Sequence, residues 1–215
     1  MTELVVQVDI VSDVVCPWCY IGFRQLEQAL GLTGIGAVVR WHPFELNPAM
    51  PPEGQNLREH LAEKYGTTAE QSRAARARLT GLGEELGIDF RFSDDSRIVN
   101  TFAAHQLLGW ALGLNKQHPL KLALFHAYFT EGRDVSDPGV LIEVAESVGL
   151  DPAAARQVLE GGSHAAETRD SLELWIQNGI TGVPAMVFGG KYLVTGAQGV
   201  ENYARVLQRC VAEAA

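Results

Sequence analysis

The sequence predicts an α/β fold in which a β-α-β opening and an α-β-β-α ending are separated by a long helical block. Three observations carry that expectation. Apolar, β-rich runs lie near both ends of the 215 residues, at Leu4 to Val11 and again at Ala185 to Phe188 and Tyr192 to Thr195. Helix formers dominate from Asn47 to Gly162. The quartet Cys16-Pro17-Trp18-Cys19 joins the first strand candidate to the first helix candidate.

In chain order, Leu4 to Val11 is rich in Leu, Val and Ile and reads as a buried strand. Pro17 suits the first helical position, where its missing N–H is no loss. Tyr20, Phe23, Leu26 and Leu30 follow helical spacing, and Gly31 is the expected stop. Val38 to Phe44 is the second strand candidate. Asn47-Pro48 and Met50-Pro51-Pro52 mark a breaker-rich boundary. Helices are expected over Leu57 to Tyr65, Ala69 to Leu86, Asn100 to Leu112 and about Leu120 to Phe129. Asp137-Pro138 and Asp151-Pro152 pair an N-cap acid with a first-turn proline. Gly87, Gly149 and Gly161-Gly162 supply stops. Ser163 to Asn178 is a helix, Ala185 to Phe188 and Tyr192 to Thr195 form a hairpin about Gly189-Gly190, and Val200 to Ala212 closes the chain.

Composition is that of an ordinary globular protein, 47% hydrophobic and 20% charged. A net charge of -9 argues against a nucleic-acid partner, which would need a basic face. No apolar run approaches the roughly 20 residues of a membrane span. Met1-Thr2-Glu3 lacks a basic n-region, so no signal peptide is expected and the setting is read as cytoplasmic. Paired cysteines there serve catalysis, redox sensing or metal binding more often than scaffolding. Three cysteines are too few for a disulfide framework and one short of an all-cysteine zinc site.

Two thiols three residues apart at a helix start can close a disulfide, open it and pass it on. Free cysteine titrates at about 8.5, and a helix N-terminus can lower that to about 3.5–7.5. Cys16 is therefore expected to be the acidic nucleophile, and the more shielded Cys19 the resolving thiol. Zinc needs two further ligands, and only Cys210 and His42 offer themselves. Cys210 instead continues the apolar stripe Val200, Tyr203, Leu207, Cys210, Val211 and Ala214. No metal site is expected.

Thr181-Gly182-Val183-Pro184 lies between a helix end and a strand. Cis bonds are confined largely to proline, yet on spacing alone a plain loop proline is the default. With Cys16-Pro17-Trp18-Cys19, however, this segment resembles the two signatures of the thioredoxin superfamily, and more narrowly of its DsbA-like branch with an inserted helical domain. Ser12-Asp13-Val14-Val15, Tyr20-Ile21-Gly22, Asn100-Thr101 and Ala104-His105 are similar to the FrnE-type dithiol-disulfide oxidoreductases and isomerases. The resemblance covers essentially the whole chain. It implies a discontinuous thioredoxin-like domain of residues 1–46 and 163–215 with a helical domain of 47–162 inserted. It also implies a cis Pro184 beside the cysteines and a Val183 backbone that pairs with bound substrate as an edge strand would.

Related 2-hydroxychromene-2-carboxylate isomerases and kappa-class glutathione transferases use a serine-type residue where Cys16 stands, and an acidic glutathione anchor after the last strand. Here that stretch is Gly196-Ala197-Gln198. Both departures favour redox exchange over transfer, with glutathione still open as reductant and no other cofactor expected.

Weaker candidates are Asn100 and His105, about 140° apart on one helix. Asn100 doubles as an N-cap, and His105 is a proton-transfer candidate. Asp13 reads as a solvated loop acid. Pro17 tunes the pair, and Trp18 is expected on a substrate-contacting surface. Phe44, Phe102, Trp110, Phe125 and Trp175 read as core, and Arg73, Arg76 and Arg78 as a solvated face. Together these point to thiol–disulfide exchange with a disulfide- or thiol-containing protein or small molecule. Monomer and homodimer both stay open. The alternatives are a glutathione-dependent isomerase or transferase and a chaperone-like binding module on the same fold.

Overall fold

In a computed structural model describing residues 5–214, the apolar N-terminal run forms β1 (Val5–Ser12), followed by α1 (Pro17–Thr33) and β2 (Gly36–Pro43). Leu4, the expected first strand residue, lies outside the described residues. The chain continues through β3 (Gln55–Asn56), α2 (Leu57–Tyr65), α3 (Ala69–Glu85), β4 (Arg97–Ile98), α4 (Phe102–Leu112) and α5 (Gln117–Phe129). It then forms α6 (Pro138–Ser147), α7 (Pro152–Gly161), α8 (Ala165–Gln177), β5 (Ala185–Phe188), β6 (Tyr192–Thr195) and α9 (Val200–Ala214). Backbone contacts divide it into two units, Met1–Leu46 with Arg169–Ala215, and Asn47–Thr168. The second division falls inside α8, beyond the Gly161-Gly162 stop. Thr168 is buried, and its hydroxyl lies beside Gly109 of the helical unit.

In the first unit the sheet order is β2-β1-β5-β6. The central strand β1 is parallel to β2, with Val5 opposite Gly36 and Ser12 opposite Pro43. It is antiparallel to β5, with Val8 opposite Phe188 and Val11 opposite Ala185. Val6, Val8 and Ile10 share one face of β1 and are buried, as is Val11, while Val5 and Gln7 on the opposite face are exposed. On one face α1 packs against α9, and α9 against β1 and β5. Tyr203 and Leu207 of α9 are wholly buried there.

Two local expectations are corrected. Gly31 does not end α1; the helix runs to Thr33, and Gly34 caps it at φ 67 with its N–H on the Leu30 carbonyl. A left-handed residue satisfies the last carbonyls, whereas Gly31 keeps helical geometry. The hairpin loop holds three residues, not two: Gly189 and Gly190 are both left-handed, and Lys191 donates to the Phe188 carbonyl at 3.0 Å.

In the helical unit α4, α5, α6 and α7 pack on one another. Lys121 is buried with its ammonium 4.7 Å from the centre of the Phe125 ring. The β3–β4 ribbon, Gln55 opposite Ile98, was not visible in the sequence, since two-residue strands carry no periodicity. Of the aromatics expected in the core only Phe125 is fully buried; Phe44, Phe102, Trp110 and Trp175 are half-buried. Arg76 is likewise not simply solvated: it reaches Asp94 at 3.0 Å and the Ser93 carbonyl at 2.7 Å. No described helix is long and apolar enough to cross a membrane.

Phe90 stacks on Phe92 with centroids 5.3 Å apart and meets Phe129 edge-on at 5.2 Å. Gly83 of α3 lies against this cluster, where an added Cβ would stand 2.5 Å from the Phe90 ring and 2.9 Å from the Ile88 carbonyl. Gly83→Ala should therefore lower the unfolding free energy by about 1–3 kcal/mol, despite alanine's better helix propensity. Urea unfolding measures it, and an unchanged or raised midpoint contradicts this packing.

Candidate active site

The thiol pair is placed by the β1–α1 junction. Cys16 is the N-cap of α1, extended at φ -92 and ψ 110, and Pro17 follows at the first helical position. No side chain caps this end; the Cys16 carbonyl receives the N–H groups of Cys19 at 3.1 Å and Tyr20 at 3.4 Å. Cys16 is 3% exposed and Cys19 fully buried, and both are free thiols with no disulfide between them. Trp18 between them is 37% exposed, so the indole, not the sulfur, meets solvent.

The Val183–Pro184 peptide is cis. Val183 presents its carbonyl 3.8 Å from Cys16 Sγ, as an acceptor for the thiol. Pro184 is paired in turn through its own carbonyl with the Gly196 N–H at 2.7 Å. This approach depends on Gly22, one turn into α1. A Cβ there would lie 3.2 Å from Pro184 Cγ, 3.3 Å from Met186 Cε and 3.4 Å from the Tyr203 hydroxyl. Tyr203 donates to the Gly196 carbonyl at 2.9 Å, and burial pushes its phenol up to about 12, so it stays protonated. Val183 also packs with Phe44 and Trp175 against Val11, Ile180 and Ala185.

The thiol electrostatics reverse the sequence expectation. Cys16 is held well above the ordinary cysteine value. Its hydrogen bond with Cys19 is the main cause, followed by burial and by the charge Cys19 would carry. The Cys19 N–H pulls the other way, as a helix start should, but loses; Asp13 adds a further repulsion.

Asp13 is also corrected. It is 1% exposed, not solvated, and its Oδ2 accepts the Leu46 N–H at 2.8 Å. Next to Leu46 stands Glu45, half-buried and pushed up to about 7, first by burial and then by Asp13, against the pull of Arg169. Nothing in the sequence singled out Glu45, because its partner lies in a different loop. Gly22 entered only as part of a motif, although a glycine inside a helix is itself a sign of close approach.

Asn100 and His105 belong to the helical unit. Asn100 accepts the Phe102 N–H at 2.9 Å and donates to the Met50 carbonyl at 3.3 Å, one residue ahead of the N-cap Thr101. His105 is buried in α4. His42 pairs with Asp9 at 2.8 Å and packs on Trp175. Cys210 lies half-buried beside Gly189. Among the described residues no three His, Cys, Asp or Glu side chains converge as metal ligands.

The sequence profile of the DSBA-like thioredoxin domain family matches residues 7–208. A probable DsbA oxidoreductase from Streptomyces coelicolor is 33% identical and superposes with a TM-score of 0.90, over 97% of this chain and 91% of that one. The protein YwbO of Bacillus subtilis is 28% identical over 205 residues, 95% of this chain and 96% of its own. The cytosolic disulfide reductase DsbM from Pseudomonas aeruginosa, solved with GSH, shares the fold at 19% identity and a TM-score of 0.66, over 96% of this chain and 99% of that one.

The raised Glu45 carboxyl makes stability depend on pH. The folded state holds this proton more tightly than the unfolded chain does. Its contribution is full below the ordinary carboxylate range and is lost as pH rises to about 7. Glu45→Gln should lose less stability than the wild type between about pH 5 and about pH 8. Urea midpoints at the two pH values test this; an equal decline in both proteins contradicts it.

Proposed function

The chain belongs to the DSBA-like thioredoxin domain family, and we propose that it exchanges disulfides through Cys16 as nucleophile and Cys19 as resolving thiol. The observation that carries this is the thiol pair at a helix start with Cys16 Sγ against the carbonyl of Val183, next to the cis proline. The Cys16 thiolate attacks one sulfur of a substrate disulfide and expels the other as a thiolate. Cys19, once deprotonated, attacks Cys16 and releases the second substrate thiol. The Cys16–Cys19 disulfide that remains has given up two electrons, and a thiol reductant such as glutathione restores the dithiol.

Substrate is held by the Val183 backbone acting as an edge strand, with Trp18 and Pro17 forming the exposed lip. The family is an oxidoreductase family, and the reductive direction within it is our reading. A thiol that retains its proton leaves poorly, so the disulfide it forms is stable and the dithiol reduces others. A cytoplasmic setting fits that direction.

In a turbidity assay of insulin reduction, Cys16→Ser should lower the rate by at least about a hundredfold, because a hydroxyl does not attack a disulfide. Cys19→Ala should accumulate a mixed disulfide visible by mass spectrometry. Equal rates for wild type and Cys16→Ser would sink the reading. Equilibration with glutathione should place the pair nearer about -270 mV than the about -120 mV of a strong oxidant. A value at the oxidising end would overturn the direction while leaving exchange intact.

A further inference from the structure

Tyr203 stands on the apolar stripe of α9, yet it carries a hydroxyl that packing does not ask for. Its side chain is wholly buried, with the ring centroid 5.9 Å from that of Phe188. A phenylalanine would fill the same space without taking a polar group out of water. The hydroxyl is bonded on both sides. It donates to the Gly196 carbonyl at 2.9 Å and accepts the Gln198 N–H at 3.4 Å.

These bonds lead to the thiol site. The N–H of the same Gly196 is bonded to the Pro184 carbonyl at 2.7 Å, and the carbonyl of Val183, next in the chain, lies 3.8 Å from Cys16 Sγ. The turn of residues 196–199 has a second tie, to α1: the Gly199 N–H donates to Gln25 Oε1 at 3.0 Å. The phenol oxygen also lies against α1, 3.4 Å from where a Cβ on Gly22 would stand. Gly196 and Gly199 are left-handed, at φ 79 and 89, and a turn built on glycines has little stiffness of its own. Tyr203 pins it to α9 and Gln25 pins it to α1.

We propose that Tyr203 is a positioning residue for thiol–disulfide exchange: acting through Gly196 and Pro184, its hydroxyl fixes the Val183 backbone beside Cys16 and so favours peptide disulfides over small ones that make no backbone pairing. This rests on the exchange reading above and carries it to the choice of substrate. A peptide that adds as an edge strand needs the Val183 backbone at a set spacing and angle, because hydrogen bonds weaken steeply when misaligned. A disulfide without peptide groups draws nothing from that alignment. The phenol acts as a neutral donor, and the bonds made and broken remain those of the exchange cycle.

In the test, prereduced full-length protein is mixed with a disulfide-linked peptide pair or with hydroxyethyl disulfide and quenched in acid. Oxidation of the Cys16–Cys19 pair is then read by mass spectrometry. Tyr203→Phe should raise the half-saturating concentration of the peptide disulfide about three- to tenfold, the weight of one hydrogen bond, with a smaller effect on the limiting rate. The ratio of peptide to small-disulfide rate constants should fall by the same factor. An unchanged ratio overturns the proposal, whether both rates hold or both fall together, since a merely structural role moves the two substrates alike.

If the phenylalanine variant does not fold, Gln25→Ala decides. It cuts the other tie of the same turn and keeps a good helix former in α1. It should lower the ratio about twofold, and an unmoved ratio removes the role of the turn and that of Tyr203 with it. The wild type separates the two readings. Oxidation by neither disulfide defeats the exchange reading and this inference together, whereas exchange with both and a ratio that the variants leave unmoved defeats this inference alone.

Discussion

The close approach of α1 to the Val183–Pro184 segment is the constraint on which the thiol site depends. Gly22 sets it. With hydrogen in place of a methyl, the helix lies against Pro184, Met186 and Tyr203, and any Cβ would meet all three within 3.4 Å. That approach brings Cys16 Sγ to the Val183 carbonyl one and a half turns earlier on the same helix. Propensity alone would make Gly22 a defect, since glycine weakens a helix interior by roughly 1 kcal/mol relative to alanine. Its use here is steric, and the loss is offset by packing along the rest of α1, where Cys19, Ile21, Phe23, Leu26 and Ala29 are all buried.

The same close packing dictates the electrostatics. A helix start invites an anion, but an invitation is worth about a kilocalorie or two at best. Burying both sulfurs, hydrogen-bonding them to each other and placing Asp13 behind them all oppose the charge, and opposition wins at Cys16. Motif position by itself therefore misjudges the acidity of this thiol. What decides is the set of neighbours folded around it: the second thiol first, then burial, with the Asp13 carboxyl adding a smaller repulsion.

Much of this arrangement was legible before the structure, and the reasons are local. β1 announces itself through its run of Val and Ile, with Gln7 and Asp9 falling on the less buried face. α6 and α7 announce themselves through Asp137-Pro138 and Asp151-Pro152, whose side chains do cap Val140 and Ala153. β5 and β6 are bounded by glycines whose left-handed geometry is nearly obligatory. What stayed hidden depends on contacts between distant segments. Asp13 looked like a loop acid because its partner, the Leu46 N–H, belongs to another loop. Glu45 carried no signal at all. The end of α1 was misplaced because Gly31 and Gly34 look alike in sequence, and only backbone geometry tells a tolerated glycine from a capping one.

In the proposed exchange, retaining the Cys16 proton has two opposing kinetic effects. Each unit by which a thiol's pKa rises above the ambient pH removes about nine-tenths of the remaining thiolate, while the surviving thiolate gains only about threefold in nucleophilicity. The net loss in attack rate is about three- to fourfold per unit. The return appears at equilibrium: a more basic Cys16 is a poorer leaving group, so its disulfide with Cys19 resists reopening and electrons flow outward to substrate. Speed of attack is thus exchanged for reducing power. That balance shifts with any charge placed beside the sulfur, so the buried Asp13 carboxyl bears on it as well as the Pro17-Trp18 pair.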